Sequence, residues 1–570
     1  MGEAVLVSFD ARSPEPVRLR DADGLERTVS GRATQCLWSG GLFANRAEML
    51  VQNRLPEHLS DAQLLLALYE RYGDGTADRI AGTFAWVLWD ADRRALVASR
   101  DRMGTQGLHY AEDGKQWLIA DQLEPILGAL SLQRRFNPRT IVGHINGQSP
   151  LPGETFYDGV SAVEPGSLVV LQHDQIRMRR YWSVRAQPSL KLGSDAAYAK
   201  AFRESLFRIA TEYAPSGPCA VTLSGGLDST TVAAALAAVA PSTELTACSW
   251  ITPELPEADE SQYSAAVSQH LTISSVPIRG DLHWPLRRAE GIKTHEASPL
   301  YGHYYELWDA TFAAIQERGI GTVFSGVGGD HLFGGNVFVY PDLLLTGRWL
   351  ELARQMRNTR TKMSVLQKVR RMLIGPALRA YFPHWSRFSP GPVPWLADLH
   401  GSTYEECFAP KPSTPRRLPG TQERLNQLRD RLLPDIVEAL NRQAAEYSLD
   451  LRHPLLDHRL VEFAASLPTD QTFRASVRKI VMRNGMRGYL PDAVLDLEDK
   501  IYPSAIGRRG LKEREQDKVR YLMPDMRAAE LGFVDERRLR AAYDAYLGAE
   551  NGGSIFWHTL TLEDWLRRYF

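Results

Sequence analysis

Residues 223–230 read LSGGLDST, and the runs on either side give them their setting. Upstream, residues 219–223 (CAVTL) are short and mostly apolar, as a buried strand requires; downstream, residues 231–240 (TVAAALAAVA) suit a buried helix. A glycine turn between strand and helix is a phosphate cradle. Gly225 and Gly226 permit backbone angles that side chains forbid and let N–H groups converge, while the helix N-terminus favours an anion. Ser224, Ser229 and Thr230 add hydroxyl donors. Asp228 can only accept and would repel a bare phosphate, so its place here makes sense with Mg²⁺ between carboxylate and phosphates.

The chain has 570 residues, 44% of them hydrophobic and 24% charged, enough for at least two cores. A net charge of -1 supplies no global field for nucleic acid. Cys36, Cys219, Cys248 and Cys407 are far apart and form no CxxC, which reads as buried thiols in a reducing compartment. No apolar run approaches the roughly 20 residues that span a bilayer, and MGEAVLVSFD (residues 1–10) carries acids where a signal peptide carries bases. The expectation is a cytoplasmic protein with neither nucleic acid nor membrane as partner.

Residues 1–187 read as a layered α+β domain. VLVSF, FAWVLWD, RALVASR and SLVVLQ are strand-like, and residues 61–72 form a helical pattern ending at Gly73. Residues 185–195 (RAQPSLKLGSD) form a polar linker, and a second domain takes residues 195–570, opening on a helix to about Tyr213. There the chain alternates: ELTACSWI, ESQYSAAVSQHL, SSVPI, YYELWDATFAAIQERG, GTVFSGVGGD. Strands separated by helices predict a doubly wound parallel sheet, whose ligands bind beyond the carboxyl ends of the strands. SGVGGDHLFGG (residues 325–335) repeats the strand-to-glycine-loop logic and brings a second carboxylate, Asp330, able to share Mg²⁺ with Asp228.

These motifs carry a resemblance. SGGLDS resembles the pyrophosphate loop of the N-type ATP pyrophosphatases, which split ATP into AMP and pyrophosphate to adenylate an acceptor; the lysine-bearing GxxxxGK[ST] loop is absent at this place. Residues 67–110, from ALYERYG to GLHY, resemble the N-terminal glutaminase domain of the asparagine synthetase B family, an Ntn-hydrolase-like fold. Residues 325–335 resemble that family's SGEGSDELFGG. Residues 447–468 (YSLDLRHPLLDHRLVEFAASLP) resemble its ExRxPFLD stretch, with Asp457 placed to cap the following helix. Residues 477–500 match a segment that carries two lysines into the active site.

The resemblance implies ATP contacts from Leu223, Ser224, Gly225, Gly226, Asp228, Ser229, Ser325 and Gly326, and Mg²⁺ on Asp228 and Asp330. It implies catalytic roles for Asp330, Lys479 and Lys500, the lysines meeting negative charge that develops during reaction. It also implies an α/β protein in two parts: an inactive glutaminase-type domain, then an ATP pyrophosphatase domain with helical C-terminal additions.

The departures narrow the expectation. The family's glutaminase nucleophile is a cysteine exposed by Met removal, where this chain has Gly2, which carries no nucleophile. The glutamine-holding Asn-Gly-Glu is replaced by GGLFAN (residues 40–45), and Asp101, matching a substrate-binding aspartate, reads as structural. The glutamate proposed in the family as a base on the amine is Val327, which cannot move a proton. This profile resembles the lasso peptide cyclases. Those macrolactam synthetases adenylate an Asp or Glu side chain of a precursor peptide and close the ring with its N-terminal amine, beside a leader peptidase and a leader-binding protein. An ammonia-dependent asparagine synthetase or β-lactam-type ligase, and a non-catalytic ATP-binding scaffold, remain open alternatives.

Three further stretches carry weaker signals. His295, Glu296 and His303 do not have HExxH spacing, and Pro299 interrupts any helix aligning them, so no zinc is expected. Arg348, Arg354, Arg357, Arg360, Lys362, Lys368, Arg370, Arg371 and Arg379 face only Glu351, giving a solvated face or a docking surface for a peptide or protein. Proline-dense residues 383–420 read as extended loop outside any core.

Overall fold

The computed structural model describes residues 5–10, 13, 17–20, 26–29, 33–130, 135–172, 175–185, 187, 189–286, 296–299, 302, 304–359, 363–381, 391–408, 418–429, 432–497, 504–548 and 556–570. Its N-terminal part holds two antiparallel sheets. One has the order β3-β2-β1-β8-β7-β9, from β1 (Leu6–Phe9), β2 (Val17–Arg20), β3 (Glu26–Val29), β7 (His109–Asp113), β8 (Gln116–Ala120) and β9 (Val160–Ala162). The other has the order β11-β10-β6-β5-β4, from β4 (Gln35–Phe43), β5 (Gly82–Asp90), β6 (Ala95–Arg100), β10 (Ser167–Gln172) and β11 (Gln175–Arg180). Val7, Phe9, Val87, Trp89, Leu96, Ile119 and Leu171 fill the space between the sheets. On the far side of the second sheet, Phe84, Trp86 and Val97 meet the helix Asp61–Tyr72 through Leu64, Leu65 and Leu68. With both faces covered, β5 is buried along nearly its whole length, and its centre, Phe84–Trp89, is apolar without alternation. The helix starts at a capping box, the Ser60 side chain accepting from Gln63 N–H while the Gln63 side chain accepts from Ser60 N–H.

The second part is a five-stranded, all-parallel sheet. Its order is β14-β13-β12-β15-β16, from β12 (Cys219–Thr222), β13 (Leu245–Ile251), β14 (Ser274–Arg279), β15 (Thr322–Phe324) and β16 (Asp450–Arg452). The chain moves outward one way through β12, β13 and β14, and the other way through β15 and β16. The crevice between the ends of β12 and β15 is therefore a topological switch point. Strand β16 has no signal in the sequence, because a three-residue segment leaves no periodicity to read.

The two parts share a core. Leu118, Ile126, Ile141 and Phe156 of the first pack in one cluster with Leu511, Trp557, Leu560 and Trp565 of the C-terminal helices. The reading of residues 383–420 as loop outside the core is overturned for their middle portion. Val393, Trp395 and Leu396 belong to this shared cluster, Trp395 Nε1 donates to Thr559 Oγ1 at 2.8 Å, and Gly401–Phe408 is a helix. Pro394 lies in a turn closed by Leu396 N–H donating to Val393 O at 3.0 Å, and that turn sets the three apolar side chains against the C-terminal helices.

Candidate active site at the switch point of the parallel sheet

The loop after β12 is held from within. Leu223 N–H donates to Cys248 O at 2.8 Å, Ser224 N–H donates to Ser229 Oγ at 3.0 Å, and Gly226 N–H donates to Ser224 Oγ at 3.1 Å. Gly226 then opens the helix Leu227–Val239 without a side-chain cap, so the first-turn donors face the crevice. Neither Gly225 nor Gly226 is in the left-handed region, which corrects the expectation that glycine was needed for its backbone angles. Gly225 is required by closeness instead: a Cβ there would lie 2.8 Å from Tyr263 Cβ and 2.9 Å from Glu260 Cβ.

The loop after β15 docks onto the first. Ser325 N–H donates to Arg452 O at 3.0 Å, Gly328 adopts φ 101°, and a short helix, Gly329–Phe333, carries Asp330. A Cβ on Gly326 would lie 2.4 Å from Ser229 N, and one on Gly329 would lie 2.2 Å from Asp228 Oδ1. Only glycine lets the loops approach this closely, and the approach brings the two aspartates to one point. At that point lies Lys479, its side chain only 8% exposed, with Nζ at 2.7 Å from each Asp228 oxygen and 2.6 Å from Asp330 Oδ1.

Lys479 is presented by a tight hairpin of β17 (Phe473–Arg474) and β18 (Val477–Arg478), with Ala475 and Ser476 in the left-handed region. Lys479 itself has φ 60°, donates its N–H to Thr472 O at 2.7 Å and opens the helix Ile480–Gly485. Left-handed backbone costs a non-glycine residue roughly 1–2 kcal/mol, so the surrounding structure holds this lysine in place against strain. Arg483 braces the segment by donating to the carbonyls of Arg478, Leu495 and Leu497.

Leu223, Ser224, Gly225, Gly226, Asp228, Ser229, Ser325, Gly326, Asp330 and Lys479 therefore gather in one crevice, although Ser325 is only 1% exposed and its hydroxyl is turned away toward His453. Lys479 lies on the two carboxylates. Lys500, Gly2, His295 and His303 lie outside the described residues. Val327, in the place of the expected glutamate, is half-buried and packs against two apolar clusters. Asp101 is buried, and its carboxylate is filled by Met103 N–H, Thr105 N–H, Thr105 Oγ–H and Gln106 N–H, which makes it a loop former. Asp457 caps His458–Ser466 by accepting from Arg459 N–H at 3.0 Å.

Among the described residues no group of three or more His, Cys, Asp and Glu gathers as a metal centre. Mg²⁺ does not need one, since one or two carboxylates plus phosphate oxygens suffice. Asp228 and Asp330, converging on a single cation, fit that requirement. Two cavities, of about 500 and 310 Å³, lie apart from this cluster in the cleft between the two parts; His109 and Glu438 line both.

The family model for asparagine synthase matches residues 205–567, and that for the glutamine amidotransferase domain matches residues 44–182. Asparagine synthetase (glutamine-hydrolyzing) 3 of Bacillus subtilis is 23% identical over 512 residues, covering 84% of this chain and 76% of its own length. Amidase chyE of Penicillium rubens is 25% identical over 536 residues, with 84% and 77% covered. Amidase chry2 of Gibberella zeae is 23% identical over 548 residues, with 86% and 80% covered.

Proposed function

We propose that this chain, which belongs to the asparagine synthase family, closes a macrolactam on a precursor peptide. As a member it is an ATP-dependent carbon–nitrogen ligase; the choice of peptide as substrate is our reading. An Asp or Glu side-chain carboxylate attacks the α-phosphorus of ATP and pyrophosphate leaves. The peptide's N-terminal amine then attacks the acyl-adenylate carbonyl, AMP leaves with the bonding pair, and the ammonium proton is lost to solvent or phosphate.

The chain's own residues supply binding and charge. The first-turn donors of Leu227–Val239 and the hydroxyls of Ser224 and Ser229 suit phosphate oxygens. Asp228 and Asp330 would hold Mg²⁺, which when bound neutralises phosphate charge. Lys479, fixed in the same crevice, offers a preorganised cation to the charge that develops on the α-phosphate. The two glycine loops, interlocked at Gly326 and Gly329, fix the relative positions of these groups.

The observation that carries the reading is Val327. The position that would hold a base is an apolar side chain packed into apolar clusters, while the ATP groups around it are assembled. An amine that attacks here should already be partly unprotonated. A peptide α-amino group, with a pKa of about 8, is roughly one-tenth free base at neutral pH. A leader peptidase and a leader-binding protein would be partners. Trp349, Leu350, Val365 and Leu366 are strongly exposed beside the exposed Arg354, Arg357, Arg370 and Arg371, which supports docking of an acidic, apolar segment there. The expected compartment is the cytoplasm; no described helix is long and apolar enough to cross a membrane.

The test follows AMP, pyrophosphate and peptide mass with purified chain, Mg·ATP and leader-free candidate peptides. A peptide lighter by one water, lost in Asp228→Ala, supports macrolactam formation. AMP formed only with free aspartate and ammonia supports the reading that the named asparagine synthetase relative favours. Absence of turnover with every acceptor, partners supplied, leaves an ATP-binding scaffold.

A further inference from the structure

A chain of hydrogen bonds runs from the N-terminal part to the second glycine loop. Asn441 Nδ2 donates to Thr105 O at 2.7 Å, His453 Nε2 lies 2.9 Å from Asn441 Oδ1, and His453 Nδ1 lies 2.6 Å from Ser325 Oγ. Val327 N–H donates to Ser325 Oγ at 3.3 Å. The two ends decide every role between them. Thr105 O can only accept, so the amide of Asn441 must turn its Nδ2 there and its Oδ1 toward His453. His453 then carries its proton on Nε2 and presents a lone pair at Nδ1, so the Ser325 hydroxyl donates to it. That leaves a lone pair on Ser325 Oγ for Val327 N–H.

The relay asks for a neutral imidazole. A second ring proton would turn Nδ1 into a donor and leave the Ser325 hydroxyl without its acceptor. His453 is fully buried, and burial lowers its pKa to about 3, so the neutral form is kept throughout the working range. The far end is equally fixed: the four bonds to the Asp101 carboxylate shape the loop that presents Thr105 O. The near end matters because Gly326, next to Ser325, has no slack against Ser229 N.

We propose that the N-terminal part positions the ATP loop through Thr105, Asn441 and His453, whether or not it hydrolyses glutamine. Asn441 and His453 are positioning residues: they act through Ser325, and they set the place of Ser325–Val327 against Asp228 and Ser229. This rests on the ATP reading of the loop given above.

The test uses the full chain and Mg·ATP itself, measured by titration calorimetry, with melting temperature recorded in parallel. Asn441→Ala removes the middle of the relay at a half-buried site. Loss of a buried hydrogen bond worth about 1–1.5 kcal/mol predicts a Kd for Mg·ATP raised about tenfold. Arg442→Ala, next on the same helix and outside the relay, should leave Kd within about twofold. His453→Asn keeps an acceptor for Ser325 but loses Asn441, so it should show the defect of Asn441→Ala. The double variant should be no worse than either single one. In turnover the relay variants should raise KM for ATP more than they lower kcat. Wild-type binding with an unchanged Kd in Asn441→Ala overturns this proposal alone. So does an equal rise in Arg442→Ala, or additive effects in the double variant. A wild-type chain that does not bind Mg·ATP overturns this proposal together with the ATP reading.

Discussion

Replacing Lys479 by methionine keeps length and most of the packing while removing one charge from between two carboxylates. The wild-type Nζ has three carboxylate oxygens within 2.7 Å, and the lysine side chain is 8% exposed. A charge pair near 4 Å in a protein-like dielectric of about 20 interacts by roughly 4 kcal/mol. Removing one partner of a buried pair costs about 3–5 kcal/mol. Here the Asp330 side chain is 39% exposed and that of Asp228 is 15% exposed, so solvent screens part of the residual repulsion. The expected loss of stability is about 2–3 kcal/mol. Catalysis should fall further than folding explains, by about 10²- to 10³-fold in kcat, because a preorganised cation is lost at the developing charge. The assay is pyrophosphate release at saturating Mg·ATP, run well below the melting temperature of Lys479→Met. Melting in a Mg²⁺ series gives a second readout. With the ammonium gone, the paired carboxylates should take up the ion more readily, and Mg²⁺ should raise the melting temperature of the variant more than that of wild type. Full activity in a folded Lys479→Met, with no added response to Mg²⁺, would refute the placing of this lysine at the reacting charge.

Other perturbations have expected outcomes of either sign. Asp342 is buried against Gly420 N–H and the Thr469 hydroxyl, and burial pushes its pKa up to about 6. A raised native pKa means its contribution is full below pH of about 4 and is lost as pH rises through about 6. Asp342→Asn should therefore stabilise the chain by about 1–3 kcal/mol at pH 8, with the gain vanishing near pH 4 in denaturant melts. Glu438 shows the opposite sign. Burial pushes its carboxyl up, but Arg100 at 2.6 Å and His109 at 3.3 Å outweigh that and hold it below the usual carboxylate range. Its stabilisation is present above pH of about 4.3 and lost as pH falls. Glu438→Gln should cost about 3 kcal/mol at pH 7, less at pH 4, and should speed proteolysis in residues 185–195 if the two parts loosen. Val327→Glu places a carboxylate against apolar clusters and should cost about 1–3 kcal/mol in a thermal melt without creating ammonia-dependent asparagine synthesis.

Much of this molecule can be read along the chain. Residues 223–230 and 325–335 each combine an apolar strand, a glycine turn and a helix start, so local backbone preference already places Asp228 and Asp330 at strand ends. Strand–helix alternation likewise determined the parallel sheet, and helical spacing the helix Asp61–Tyr72, because period and capping are properties of neighbouring residues. Tertiary structure alone decided the rest. Residues 391–408 read as loop in the sequence because their apolar residues have no period; their burial is set by helices more than 100 positions later in the chain. The glycines at 225, 326 and 329 could be seen, but their reason is contact with Glu260, Ser229 and Asp228, which sequence spacing cannot show. Lys479 meets Asp228 across 251 positions, and His453 meets Ser325 across 128. A lone histidine beside proline carries no local signal of such a role. Sequence determines which groups are available and which element carries each, through short-range sterics and hydrogen bonding. Their convergence comes from burial of apolar surface over the whole chain, a cooperative quantity to which no single stretch holds the key.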